Sequence, residues 1–208
     1  MKSFVLFIII LFVTQTSVFP KTKQDADEEN KLIKLGYDYA AVGGIWAPTG
    51  NLSLVGAHPY LGFRLGVVKK KITIDFSANF KFINSPKSYN VLKDGILYST
   101  RHFFGGYIGI DGDYVLLYKK QHKITFVGGL AYDGFDALTK PNNGVDKTIN
   151  AFNLNIGLAY RFYRASDRYL EVQAKYNLVN YDNVGGTDLS GKSLTIGFLI
   201  GGLLVAHY

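Results

Sequence analysis

The chain has no cysteine in 208 residues, which excludes a disulfide framework, thiol chemistry and a lipidated N-terminal cysteine. Histidine is scarce, with only His58, His102, His122 and His207, and no two of them fall at i, i+2 or i, i+4, so no metal or other cofactor is expected. No apolar run reaches the roughly 20 residues that a membrane-crossing helix needs; Phe4–Val13 stops short. Helical periodicity is absent, and so is a nucleophile motif of the Gly-x-Ser-x-Gly kind. Acidic residues are outnumbered, giving a net charge of +7. The excess base sits in short runs such as Lys69-Lys70-Lys71 and Lys119-Lys120, without a basic helix or a groove-reading motif. No nucleic-acid partner is expected; lipid head groups of opposite charge suit such runs better.

What the chain has in abundance is alternation. From Ile72 to Phe82 every even position is apolar and every odd one polar or small, and the same parity returns from Phe152 to Phe162 and from Leu170 to Leu178. Period two over such lengths marks half-buried strands. Eight segments qualify: Leu35–Trp46, Tyr60–Val68, Lys71–Phe82, His102–Tyr118, Lys123–Asp133, Ala151–Tyr163, Tyr169–Asn180 and Ser193–Tyr208. Before them lie a basic start at Met1-Lys2-Ser3, the apolar run and polar Thr14–Ser17, the layout of a signal peptide. The expected organisation is a leader over 1–20, cut between Thr16 and Pro20, a charged lead-in over 21–34, and one β-domain over 35–208.

Connections alternate in length. Lys69-Lys70, Lys119–His122 and Arg164–Arg168 are short, whereas Ala47–Pro59, Ile83–Arg101, Gly134–Asn150 and Tyr181–Lys192 are long and carry Pro, Gly, Asn and Ser. An even strand number with short turns at one end and long loops at the other is the layout of an outer-membrane barrel. Side-chain size assigns the faces. The polar faces carry Gly62, Gly66, Gly105, Gly109, Gly129, Gly157, Gly197 and Gly201, and the apolar faces carry bulky residues such as Phe63, Ile74, Phe76, Ile110, Tyr118 and Leu154. An eight-stranded interior holds only ordinary side chains, so the bulky faces are expected to meet lipid, with aromatic girdles near the strand ends. The inward face then carries Asp38, Arg64, Asp75, Lys81, Asp111, Asp113, Asp133, Arg161, Glu171 and Lys175. Buried charges of both signs imply pairing, which predicts a lumenal ion-pair network and no open pore.

On this architecture the chain resembles small bacterial outer-membrane barrels of the OmpA transmembrane-domain, OmpW, OmpX and PorT-like kind. The last segment, Leu194–Tyr208, looks like the ending of that group, with Ile200, Leu204 and Ala206 stepping toward aromatic Tyr208 and Gly202 interrupting. The resemblance implies an antiparallel up-and-down transmembrane β-barrel in the bacterial outer membrane, with outer-membrane lipid and the barrel-assembly machinery as partners. It implies a structural or surface-interaction role.

Two rivals leave specific expectations. A lipid acyl hydrolase or acyltransferase needs a histidine, a carboxylate and a hydroxyl together, and His58, Ser99, His102, Asp133 and Asp136 are the rim candidates. A soluble periplasmic barrel binding an apolar ligand would instead turn its apolar faces inward. In addition, Val42, Trp46, Leu199, Leu203 and Val205 break the polar parity at the seam between first and last strands, an apolar stripe with the character to admit one acyl chain.

Overall fold

The computed structural model describes residues 35–139, 145–164 and 167–205. The expected leader, the lead-in and Tyr208 lie outside these residues. The strands in chain order are β1 (Gly36–Gly50), β2 (His58–Lys69), β3 (Ile72–Lys81), β4 (Tyr89–Lys93), β5 (Ile96–Thr100), β6 (Phe104–Lys119), β7 (His122–Leu138), β8 (Lys147–Tyr163), β9 (Arg168–Asn180) and β10 (Ser190–Val205). All but β4 and β5 join in one closed, eight-stranded barrel. Each barrel strand pairs antiparallel with the one before and after it, and β1 closes on β10 from Gly36 opposite Val205 to Gly50 opposite Gly191. The pair β4 and β5 forms a separate hairpin between β3 and β6.

Parity decides the faces. In β9 buried and exposed residues alternate without a break from Arg168 to Asn180, and the exposed set throughout the barrel is apolar: Leu65, Ile74, Phe76, Ile110, Leu154, Phe198 and their row-mates stand outward. The soluble alternative required these side chains inside, and the structure reverses it. Every inward charge expected from the sequence is buried.

The inward glycines have a positional reason. Gly62, Gly66, Gly129, Gly157 and Gly201 lie directly across the ladder from Asn79, Asp75, Asp111, Lys175 and Tyr169. In each case a Cβ on the glycine would collide with that partner's side chain or its backbone. A long polar or aromatic group on one strand therefore leans over a bare position on the next, which is how so many large side chains fit one narrow interior.

Three departures from the expected boundaries have local causes. The strands β1, β7, β8 and β10 run three to five residues farther toward the long-loop end than alternation indicates, because ladder bonds continue through Pro48-Thr49-Gly50 and Ser190-Gly191-Lys192 after the lipid-facing pattern has ended. A bulge between Val115 and Leu117 leaves Leu116 and Leu117 both outward and turns Tyr118, expected to face lipid, toward Tyr163, with ring centroids 6.2 Å apart. The hairpin β4–β5 lies in a segment expected to be plain loop. Its signal was present: Asp94 and Gly95 both hold positive φ, 52° and 76°, and Asp-Gly is a preferred two-residue hairpin turn. The short turns hold lysine in that same region, Lys70 at 55° and Lys120 at 54°, a conformation costing a side-chain-bearing residue roughly 1–2 kcal/mol.

Candidate functional site

The lumen is built in three levels, starting at the short-turn end. The charged groups of the lowest level, Asp38, Arg64, Asp75, Asp113, Arg161 and Glu171, each come from a different strand, so the barrel wall itself sets their spacing. Glu171 on β9 is the hub of the lowest level. Arg64 reaches it through two nitrogens, at 2.8 and 3.3 Å, and Arg161 donates Nε to it at 2.6 Å. Arg161 donates its other arm to Asp38 at 2.6 Å, and the Tyr169 hydroxyl donates to the same carboxylate. The Arg161 guanidinium also stacks over the Tyr169 ring, 3.6 Å from its centroid. Asp75 and Asp113 stand at 3.8 and 4.0 Å from the Arg64 guanidinium. This belt is buried throughout. Its centre is doubly bonded, the arrangement in which ions inside a protein are tolerated, whereas the carboxylates of Asp75 and Asp113 are held by charge alone, without a hydrogen bond among the described residues.

The middle level is polar and smaller in charge. Asp111 accepts from Lys175 at 2.8 Å and from Asn155 at 2.9 Å, beside the Tyr107 hydroxyl, which Asn155 also reaches. A cavity of about 30 Å³ lies here, lined by Val42, Tyr60, Lys81, Asp133, Asn153 and Leu199 among others. That is room for one or two water molecules. Val42 and Leu199 are opposed across β1 and β10, and both are buried with Trp46 and Leu203. The apolar stripe exists and packs into the barrel's own core, and the cavity beside it is too small for an acyl chain. Val205 closes the ladder with Gly36.

The upper level is an aromatic plug supplied largely by the long connections. Phe103 stacks between His58, at 3.9 Å, and Phe135, at 4.5 Å, with Trp46 at 5.8 Å. Tyr89 and Tyr181 meet Phe135 edge-on, and Leu52, Val55, Leu138 and Ile149 complete a fully buried layer. Beneath it Lys81 donates to Asp133 at 2.5 Å and to the Tyr181 hydroxyl at 3.3 Å, and its ammonium lies 4.5 Å from the Trp46 ring centroid. Burial and the Asp133 carboxylate hold the Tyr181 phenol, in the loop after β9, well above its ordinary pKa, so it remains a neutral hydroxyl.

Loop contacts fasten this plug from above. Ser85 and Arg101 exchange bonds at 2.8 and 3.0 Å, Ser85 donates to the Leu54 carbonyl at 3.3 Å, and Thr100 donates to the Ala137 carbonyl at 2.9 Å. The hairpin is tied to the last loop where Thr187 donates its backbone N–H to the Asn90 carbonyl at 2.8 Å. The outer loops thus form one bonded platform over the barrel mouth.

The rim residues proposed for acyl chemistry are scattered by this arrangement. His58 is wholly buried in the plug, its ring nitrogens facing the carbonyls of Val55 and Phe82 at 2.9 and 3.3 Å. Asp133 is inside and bonded to Lys81. Asp136 accepts from Thr148 at 2.7 Å. Only Ser99 and His102 share a surface depression, whose lining of Asn84, Ser88, Thr100, Arg101 and Thr139 contains no carboxylate. The grouping failed because sequence order at the rim says which end a residue occupies, and not whether it points into the barrel or out of it.

Several participants were missed. Lys123 is buried at the level of the charge belt, and Tyr169 and Tyr107 supply hydroxyls to the lower and middle levels. Phe135 and Tyr181 belong to the plug. All five follow the inward parity of β6, β7 or β9: Tyr107, Lys123 and Tyr169 within the expected strands, and Phe135 and Tyr181 just past their ends. Phe103 also stands on the inward parity of β6, one residue before its start; Tyr89 carries no such signal.

Neither a protein-family description nor any curated protein sequence matches the chain. Solved structures do. The chain is similar to the Neisserial surface protein A, at 13% identity and a TM-score of 0.55, over 84% of this chain and 97% of that one. It is similar also to a major outer membrane protein from Thermus thermophilus, at 10% identity and a TM-score of 0.52, over 82% and 99%. At such identities the likeness is one of fold. The fold is that of the small eight-stranded outer-membrane barrels.

Proposed function

We propose that this chain is exported to a bacterial outer membrane and acts there as a closed, non-enzymatic barrel that presents a loop platform at the cell surface. The observation that carries the reading is the combination of an apolar outer wall with an interior filled by side chains at three levels. A wall of that kind is stable only in lipid, since contiguous exposed apolar surface on this scale is foreign to soluble monomers. A filled interior leaves no path for ions, which leaves the loop platform as the surface offered to partners. The barrel-assembly machinery is the expected agent of insertion.

Gel mobility of membrane-extracted protein, unboiled against boiled, tests the barrel: a heat-dependent shift in a detergent-requiring fraction is expected. Its release without detergent would overturn the reading. Planar-bilayer recordings test closure, with no steady conductance expected from the wild type. The acyl-transfer reading keeps only Ser99 and His102, and a purified membrane whose lipid acylation changes with wild-type protein but not with His102→Ala would restore it.

A further inference from the structure

The barrel's surface charge is unevenly divided between its ends. At the short-turn end, Lys69, Lys70 and Lys71, Lys119 and Lys120, and Arg164 and Arg168 stand exposed or half-exposed, against Asp167 alone among the described acids. At the long-loop end the described surface charges balance: Lys87, Lys93, Arg101, Lys147 and Lys192 face Asp94, Asp136, Asp146, Asp182 and Asp188. The excess base of the barrel's exterior is therefore a collar at one end. Just above it, toward the membrane centre, Tyr37, Tyr39, Tyr114 and Tyr160 stand outward. The positions toward the other end are taken by Phe80, Phe104 and Phe152 with Tyr132 and Tyr176.

Two further features point the same way. Lys70 and Lys120 occupy the left-handed position of their turns, where glycine or asparagine is the undemanding choice, so charge is retained there at a backbone cost. Each of the three short turns contributes at least two cations. From the cations of the short turns, the tyrosine row and the balanced charges among the described residues of the opposite rim, we infer that the short-turn end is an interaction surface for the phosphates of an anionic phospholipid leaflet. Tyrosine supplies hydroxyls at head-group depth, and lysine and arginine beyond it meet the phosphate layer as clustered juxtamembrane base does. The partner is a lipid surface, not a single bound molecule, and its selectivity is for net negative head groups. The arrangement also favours one orientation, with the long loops on the side of the membrane where the barrel asks for no counter-charge.

The inference rests on the barrel lying in a membrane, which the heat-dependent gel shift reports separately. Full-length mature protein is reconstituted in phosphatidylcholine bilayers, and its boundary lipid is read by electron spin resonance with spin-labelled phosphatidylglycerol and spin-labelled phosphatidylcholine. A preference for phosphatidylglycerol of about three- to fivefold is expected at low salt, falling severalfold in high salt as screening requires. K69Q/K70Q/K119Q/K120Q should cut the preference to less than about half of the wild-type value while keeping the heat shift, and K87Q/K93Q/R101Q/K192Q at the other end should leave it unchanged. Equal affinity for the two lipids in the wild type, a preference the collar variant retains, or one that only the loop-end variant loses would each overturn the inference.

Discussion

The two ends of one lumen are closed by different means. At the short-turn end the closure is a belt of ion pairs, Arg64 and Arg161 on Glu171 and Asp38, whose members all come from barrel strands. At the long-loop end it is a stack of rings, Phe103 between His58 and Phe135, whose members come from strand ends and loops. The belt is as rigid as the ladder that carries it, and its energy is concentrated in a few bonds that fail badly if one partner is lost. The plug depends on burial spread over many contacts, and it opens if the loops lift. A barrel built this way is expected to unfold as a unit from below and to breathe locally from above.

Arg161→Ala presses this difference hardest. It strands Asp38 and Glu171 in the interior, and a loss of about 3–5 kcal/mol is expected, measured as the denaturant midpoint of the reconstituted barrel. Phe103→Ala removes the centre of the plug and costs roughly 3 kcal/mol of local packing. Its effect should appear as faster proteolysis of the 83–103 segment with the barrel's own midpoint nearly unmoved; an equal drop in both would erase the distinction between the two ends. Gly66→Val returns to the lower half, where a side chain meets Asp75 across the ladder. The overpacking is worth about 1–3 kcal/mol and should lower the denaturant midpoint. Gly95→Ala is the mildest. Nothing stands near the added methyl, so only the positive φ is penalised, at about 1 kcal/mol, seen as hairpin proteolysis and not as barrel unfolding.

The same division governs what was legible in the sequence. The lower belt could be read from parity, because on a strand the identity of the next-but-one residue fixes which side chains share a face. Asp38, Arg64, Asp75, Arg161 and Glu171 all followed from counting by two, and a slip of one residue would have put them in lipid. The plug could be read only in part that way, since parity points Trp46, Phe135 and Tyr181 inward but does not say that they meet. Tyr89 lies outside the barrel strands in a connection whose pattern does not place it, and it meets Phe135 only because the hairpin folds over the barrel mouth. His58 misled for the same reason: its place at a strand end suggested a rim group, whereas the ring turns inward between Trp46 and Phe103. The bulge at Val115 shows the limit of counting within a strand, since one extra residue moved Tyr118 from the outer row.

The chain's single tryptophan offers the most direct measurement. Trp46 is 2% exposed and lies in the plug, out of reach of lipid and of bulk water alike. In bilayers its fluorescence should be quenched neither by brominated acyl chains nor by acrylamide, and Phe103→Ala should admit acrylamide while leaving brominated lipid without effect. Quenching of the wild type by brominated chains would put Trp46 on the outer wall, and strong quenching by acrylamide would leave the mouth open; either result contradicts a barrel closed at its outer end by its own aromatic side chains.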